Sequence, residues 1–221
     1  MMSEVVNFVR SALGVIPKDG RLYERALTHG SHGGDSYERL EFLGDRVLGL
    51  IVARWLYERF PDEPEGKMSR RYNALVARET CADVGRAIGV TGAIRLGKQA
   101  REDRASSSDN VVGDVVEALL GALYLDQGLN VAEDFIRTHW AEFLDNQRGA
   151  PMHPKSALQE LAAAKNWGTP AYEVVGRHGA HHAPTFRVKV SVRGGGEAEA
   201  EGASKQEAET AAAAALLEQL S

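Results

Sequence analysis

The sequence predicts two domains in series, an all-α catalytic-type domain followed by a small α+β domain, and three patterns predict it. Apolar residues recur at helical spacing from Val5 to about Asn146. The stretch from Gln147 to Pro154 then brings one Gly and two Pro with little that could pack, which is linker composition. Beyond it, three alternating runs lie between two helical stretches, in the order α-β-β-β-α. The expected boundaries are residues 1–147, a linker over 148–153, and residues 154–221.

Within the first domain, turn signals at Pro17 to Gly20, Gly30 to Asp35, Pro61 to Gly66 and Arg101 to Asp109 cut the apolar pattern into helices. One helix opens at Glu38 and runs to about Tyr57, with Leu40, Leu43, Val47 and Leu48 on its core side. Another is capped by Asp109 or Asn110 and runs from Val111 to Leu125, apolar nearly all round. In the second domain a helix is expected from about Lys155 to Asn166. Strands follow over Tyr172 to Val175, Phe186 to Val192 and Glu197 to Gly202, then a helix from Lys205 to Leu220. Gly194-Gly195-Gly196 makes a hairpin between the last two strands, and a longer loop from Arg177 to Thr185 carries three His. The alanine run 211–215 suits a helix packed closely on a sheet.

Composition narrows the function classes. With 43% hydrophobic and 26% charged residues, the chain can bury real cores. The run from Val111 to Leu125 is interrupted by Asp114 and Glu117 and is too short to cross a bilayer, so no membrane role is expected. The N-terminal residues lack the order of a secretory signal, which points to the cytoplasm. The single Cys81 can form no intrachain disulfide and reads as a small core residue. A net charge of −5 argues against a polyanionic partner. From Pro154 onward there are seven Lys and Arg against eight Glu, so any nucleic-acid binding must come from local placement of charge, helped by metal ions.

The carboxylates carry the chemistry. Glu38, Glu41 and Asp45 fall at i, i+3 and i+7 on one helical face, where like charges repel; an acidic solvated stripe is the alternative for this helix taken alone. Asp114 and Glu117 interrupt the all-apolar helix at i and i+3. A helix hydrophobic on every side is buried, and ionised carboxylates there are costly unless paired or bound to a metal. No basic residue lies inside that helix, so a divalent cation shared with Glu41 and Asp45 is the economical explanation. Oxygen-only ligands favour Mg2+ or Mn2+. Gly44, Gly49, Gly113 and Gly121 suggest that the two helices approach closely enough to join the acidic pairs. A di-iron carboxylate bundle would need Glu-x-x-His pairs, and no His stands three residues after any of these acids.

The block from Glu38 to Asp45 (ERLEFLGD) resembles the signature of the ribonuclease III family. The resemblance extends to Ala26-Leu27-Thr28-His29, to Glu65-Gly66-Lys67-Met68-Ser69-Arg70 and to Asp114-Val115-Val116-Glu117-Ala118, and so covers nearly the whole chain. It implies a magnesium-dependent endoribonuclease that cuts double-stranded RNA and leaves 5′-phosphate and 3′-hydroxyl ends. It also implies a homodimer built on the signature helices and no organic cofactor. Glu41, Asp45, Asp114 and Glu117 become the catalytic, metal-binding quartet, with Glu38 and Glu65 as supporting acids. Residues 154–220 resemble a double-stranded-RNA-binding domain, which places Ser156, Gln159, Glu160, His182 and Lys205 at RNA contacts. The chain departs from the family pattern at Tyr37, where Asn or a similar small polar residue is usual, at Arg46, where Ser is usual, and at Tyr72-Asn73. None of these departures is expected to touch a proposed ligand.

Overall fold

The computed structural model describes residues 2–147, 150–180 and 183–220. The chain divides into two compact units, at Pro151 and Met152.

The first unit is helical: α1 (Met2–Ala12), α2 (Gly20–Ala26), α3 (Glu38–Arg59), α4 (Glu65–Leu75), α5 (Arg78–Ala87), α6 (Lys98–Glu102), α7 (Asp109–Gln127) and α8 (Leu129–Asp145). Its core is organised on α7, whose Val112, Val115, Val116, Leu119, Leu120 and Leu123 are fully buried, as expected of a helix apolar on all sides. The longer α3 packs across it with Leu48, Ile51, Val52 and Leu56. Ser108, not Asp109 or Asn110, is the N-cap residue of α7, and it makes no side-chain cap bond. Asp109 and Asn110 already lie inside the first turn, and their side chains meet α5: Asp109 pairs with Arg86, and Asn110 accepts from Arg78 at 3.1 Å.

Two buried polar groups pin the periphery of this unit. Asp126, at the end of α7, accepts hydrogen bonds from the backbone N–H groups of Lys18 and Asp19 and from the Tyr23 hydroxyl, at 2.9–3.0 Å. These donors hold its carboxyl below the usual range against the opposing effect of burial. Arg71 on α4 donates two 2.8 Å bonds to Glu63 and stacks 4.0 Å over the Phe60 ring. It also reaches the Gln147 carbonyl at 3.2 Å, which ties α4 to the residues that follow α8.

The second unit comprises α9 (Pro154–Ala164), β1 (Ala171–Ala180), β2 (Ala183–Val192), β3 (Gly196–Gly202) and α10 (Lys205–Leu220). The sheet is antiparallel in the order β1-β2-β3. Leu158 and Ala162 of α9 and Ala212, Ala213 and Leu216 of α10 pack with Val190, Val192 and Ala198 in a separate core. The glycine turn joins β2 to β3 as expected, closed by the Val192 and Gly196 pair. The loop expected from Arg177 to Thr185 gives way, in its described residues, to a continued ladder, with Arg177 opposite Phe186 and His178 opposite Thr185. Gly176 and Gly179 disguise it in sequence, because a bulge at Val174/Gly176 shifts the register and lets pairing continue past them. Among the described residues, no helix is long and apolar enough to cross a membrane.

Candidate active site

Two backbone contacts seat α3 on α7. A Cβ at Gly44 would lie 1.6 Å from the carbonyl oxygen of Glu117, and one at Gly121 would lie 2.3 Å from that of Leu40. Neither position admits a side chain, so glycine is what permits the crossing. The other two glycines expected at this contact face different neighbours. Gly49 leaves room for the Tyr72 hydroxyl of α4, and Gly113 lies against Arg78 and Cys81 of α5.

The crossing couples Glu41 of α3 to Asp114 and Glu117 of α7. All three are half-buried, and all three carboxyls are raised above the ordinary range. Burial is the main cause for Glu117, followed by repulsion from Glu41 and Asp114; together they push it up to about 7. Glu41 is raised by burial and then by Asp114 and Glu38. Asp114 is raised by burial, against the hydrogen bond from Tyr37 and the charges of Arg78 and His29. Desolvation and like charge thus act together on one spot, which is how perturbed carboxyls gather at functional sites.

Asp45 is also half-buried, yet its carboxylate is paired with Arg46, its neighbour on α3. Among the described residues, no three His, Cys, Asp or Glu side chains stand close enough to form a ready cage for an ion. The donors nevertheless suit a hard divalent cation: four carboxylates on two facing helices, none of them replaced by His or Cys. Glu38 is exposed at the start of α3 and adds repulsion to Glu41. Glu65 stands apart, exposed at the start of α4 and accepting from Ser69 at 2.7 Å.

Two of the departures from the family pattern touch the quartet after all, contrary to expectation. The Tyr37 hydroxyl donates to Asp114 at 3.3 Å, and Arg46 pairs with Asp45. Sequence reasoning also missed Arg78, whose charge opposes the rise of Glu41, Asp114 and Glu117 from α5. Adjacency was the available signal for Tyr37 and Arg46, each one residue from an acid of the signature. Nothing local marks Arg78. A cleft of about 610 Å³, lined in part by Phe8, Leu27, Ile94 and Arg101, lies elsewhere in this unit and contains none of the four acids.

In the second unit Ser156, Gln159 and Glu160 share the exposed face of α9, away from Leu158 and Ala162, and Lys205 is exposed at the start of α10. His182, like His181, lies outside the described residues. Several basic side chains are already paired: Lys155 with Glu209, Lys189 with Glu197, and Arg187 with Glu201 at 2.8 Å.

A helical unit with coupled acids at a glycine crossing, followed by an α-β-β-β-α unit, defines a two-domain protein of the ribonuclease-III-like class. Residues 19–143 match the family described as ribonuclease-III-like, and residues 154–220 match the double-stranded RNA binding motif. The chain belongs to the ribonuclease III family. It is 55% identical to ribonuclease 3 of Zymomonas mobilis, over 96% of this chain and 87% of that one. The nuclease domain of ribonuclease III from Campylobacter jejuni superposes with a TM-score of 0.59 at 29% identity, covering 62% of this chain and 95% of that domain. A second structure of that domain, described by flexibility in a region involved in dimer formation, gives a TM-score of 0.58 at 28% identity over 65% and 98%.

Proposed function

We propose that this protein is a magnesium-dependent endoribonuclease that hydrolyses phosphodiester bonds in double-stranded RNA and leaves 5′-phosphate and 3′-hydroxyl ends. The observation that carries this reading is the trio Glu41, Asp114 and Glu117, half-buried and mutually repelling where α3 crosses α7. Such an arrangement is costly in a fold unless a cation offsets it. Glu41, Asp45, Asp114 and Glu117 would hold Mg2+, with Mn2+ able to substitute. When bound there, the ion supplies positive charge to polarise the scissile phosphate and to activate water. The side chains hold it and fix its position. Asp45 would hold the ion in place of its pairing with Arg46, and Glu117 would hold it in its charged form. Glu38 and Glu65 act as supporting acids.

Ser156, Gln159, Glu160, His182 and Lys205 would contact the duplex, with residues 148–153 as the linker before them. The enzyme works as a homodimer, in keeping with Phe42, Leu50 and Tyr57, three large apolar side chains exposed along α3. It acts in the cytoplasm without an organic cofactor, on precursors of ribosomal RNA and on structured messenger and transfer transcripts.

The test is a long RNA duplex incubated with the protein and Mg2+, with EDTA in its place, and with the Glu117→Gln variant plus Mg2+. Cleavage is expected only in the first, with duplex binding retained by the variant. Equal cleavage in all three would overturn the proposal.

A further inference from the structure

We propose that Tyr37 is a positioning residue for Asp114: its hydroxyl holds one carboxylate oxygen and leaves the other to face Glu41 and Glu117. The inference rests on the reading of these acids as an ion site. Every part of Tyr37 is held. Its N–H donates to the Thr28 carbonyl at 2.9 Å, and its own carbonyl accepts from the N–H groups of Leu40 and Glu41 at 2.8 and 2.9 Å. The ring is buried and meets the His29 ring edge-on at 5.7 Å. A phenol fixed at both ends has little choice of where its oxygen lies, and that oxygen reaches Oδ2 of Asp114 at 3.3 Å.

What Tyr37 does not do supports the same role. It precedes α3 with helical backbone angles, φ −68° and ψ −20°, so its side chain is not placed for a local cap and makes none. The side chain spans instead from the start of α3 to α7. Asp114 needs such a partner because burial raises its carboxyl, while its charge in turn raises Glu41 and Glu117. A neutral donor orients the carboxylate without neutralising it, whereas a cation in that place would compete with the ion. Second-layer donors of this kind tune affinity through the ligand they hold.

The experiment measures Mn2+ binding to the full chain without RNA, from the electron paramagnetic resonance signal of free Mn2+. Four proteins are compared: the wild type, Tyr37→Phe, Asp114→Asn and the double variant, with melting temperatures recorded for each. Tyr37→Phe keeps the ring and its packing, and it is expected to weaken Mn2+ about tenfold. It should add nothing in the Asp114→Asn background. If Tyr37→Phe unfolds, Tyr37→Met, which keeps apolar bulk without a hydroxyl, replaces it. Wild-type affinity in Tyr37→Phe alongside a loss in Asp114→Asn overturns the role of Tyr37 and leaves the ion site standing. The same loss with or without Asp114 also overturns it, since that is general destabilisation. Wild-type affinity in every variant removes the ion site itself, and the proposal with it.

Discussion

Gly44 of α3 meets Glu117 of α7 backbone to backbone, so closely that a methyl group on Gly44 would lie 1.6 Å from the Glu117 carbonyl oxygen. That contact sets the spacing between the acid-bearing stretches of two helices. The obstacle is main chain and has no rotamer by which to move aside. Gly44→Ala must therefore push α3 away from α7, taking Glu41 and Asp45 from Asp114 and Glu117. The expected loss of stability is about 3 kcal/mol or more, at the upper end for overpacking. Duplex cleavage should fall further than the folded fraction does, as read by thermal melts beside a cleavage assay. Wild-type melting and cleavage in this variant would show that the helices are not held by this contact.

Glu117 makes stability depend on pH. Its carboxyl is raised to about 7, so the stability that goes with its protonated form is complete below its ordinary value of 4.5 and is lost as pH rises through about 7. At pH 8 in EDTA the charged carboxylate should cost roughly 2 kcal/mol, discounted for its remaining contact with solvent. Glu117→Gln should accordingly melt roughly 4–8 °C above the wild type at pH 8 and close to it at pH 5. Added Mg2+ should narrow the gap, because the ion favours the charged form. A variant less stable than the wild type at pH 8 in EDTA contradicts the origin assigned to this shift.

Arg46 competes with a cation for Asp45. The pair is on the surface, where such contacts contribute about 1 kcal/mol or less, so its removal should have a modest and signed effect. Arg46→Ser is expected to bind Mn2+ about two- to fivefold more tightly than the wild type by isothermal titration calorimetry. Weaker binding would mean that Arg46 supports the ion site.

Much of the fold was legible because it depends on periodicity. The apolar pattern of Val111 to Leu125 announces a buried helix whichever way its neighbours lie, and any charge on it stands out. Asp114 and Glu117 were visible for that reason, and the linker composition separated the two units. What stayed hidden depends on contacts distant in sequence. The four glycines of α3 and α7 look alike in the chain, yet only Gly44 and Gly121 face the α3–α7 crossing. The extension of β1 was masked by Gly176 and Gly179, residues with poor strand propensity that a bulge and a partner strand accommodate. Tyr37 on Asp114, Arg78 facing the trio and Asp126 holding the turn before α2 each need the tertiary fold to bring them into place.

The most direct test of the acidic quartet is anomalous scattering from a crystal of the full chain grown with Mn2+, recorded at the manganese edge. A peak coordinated by Glu41, Asp114 and Glu117, with Asp45 turned from Arg46 toward it, is the predicted result. Manganese bound only elsewhere, with Asp45 still on Arg46, would contradict the account.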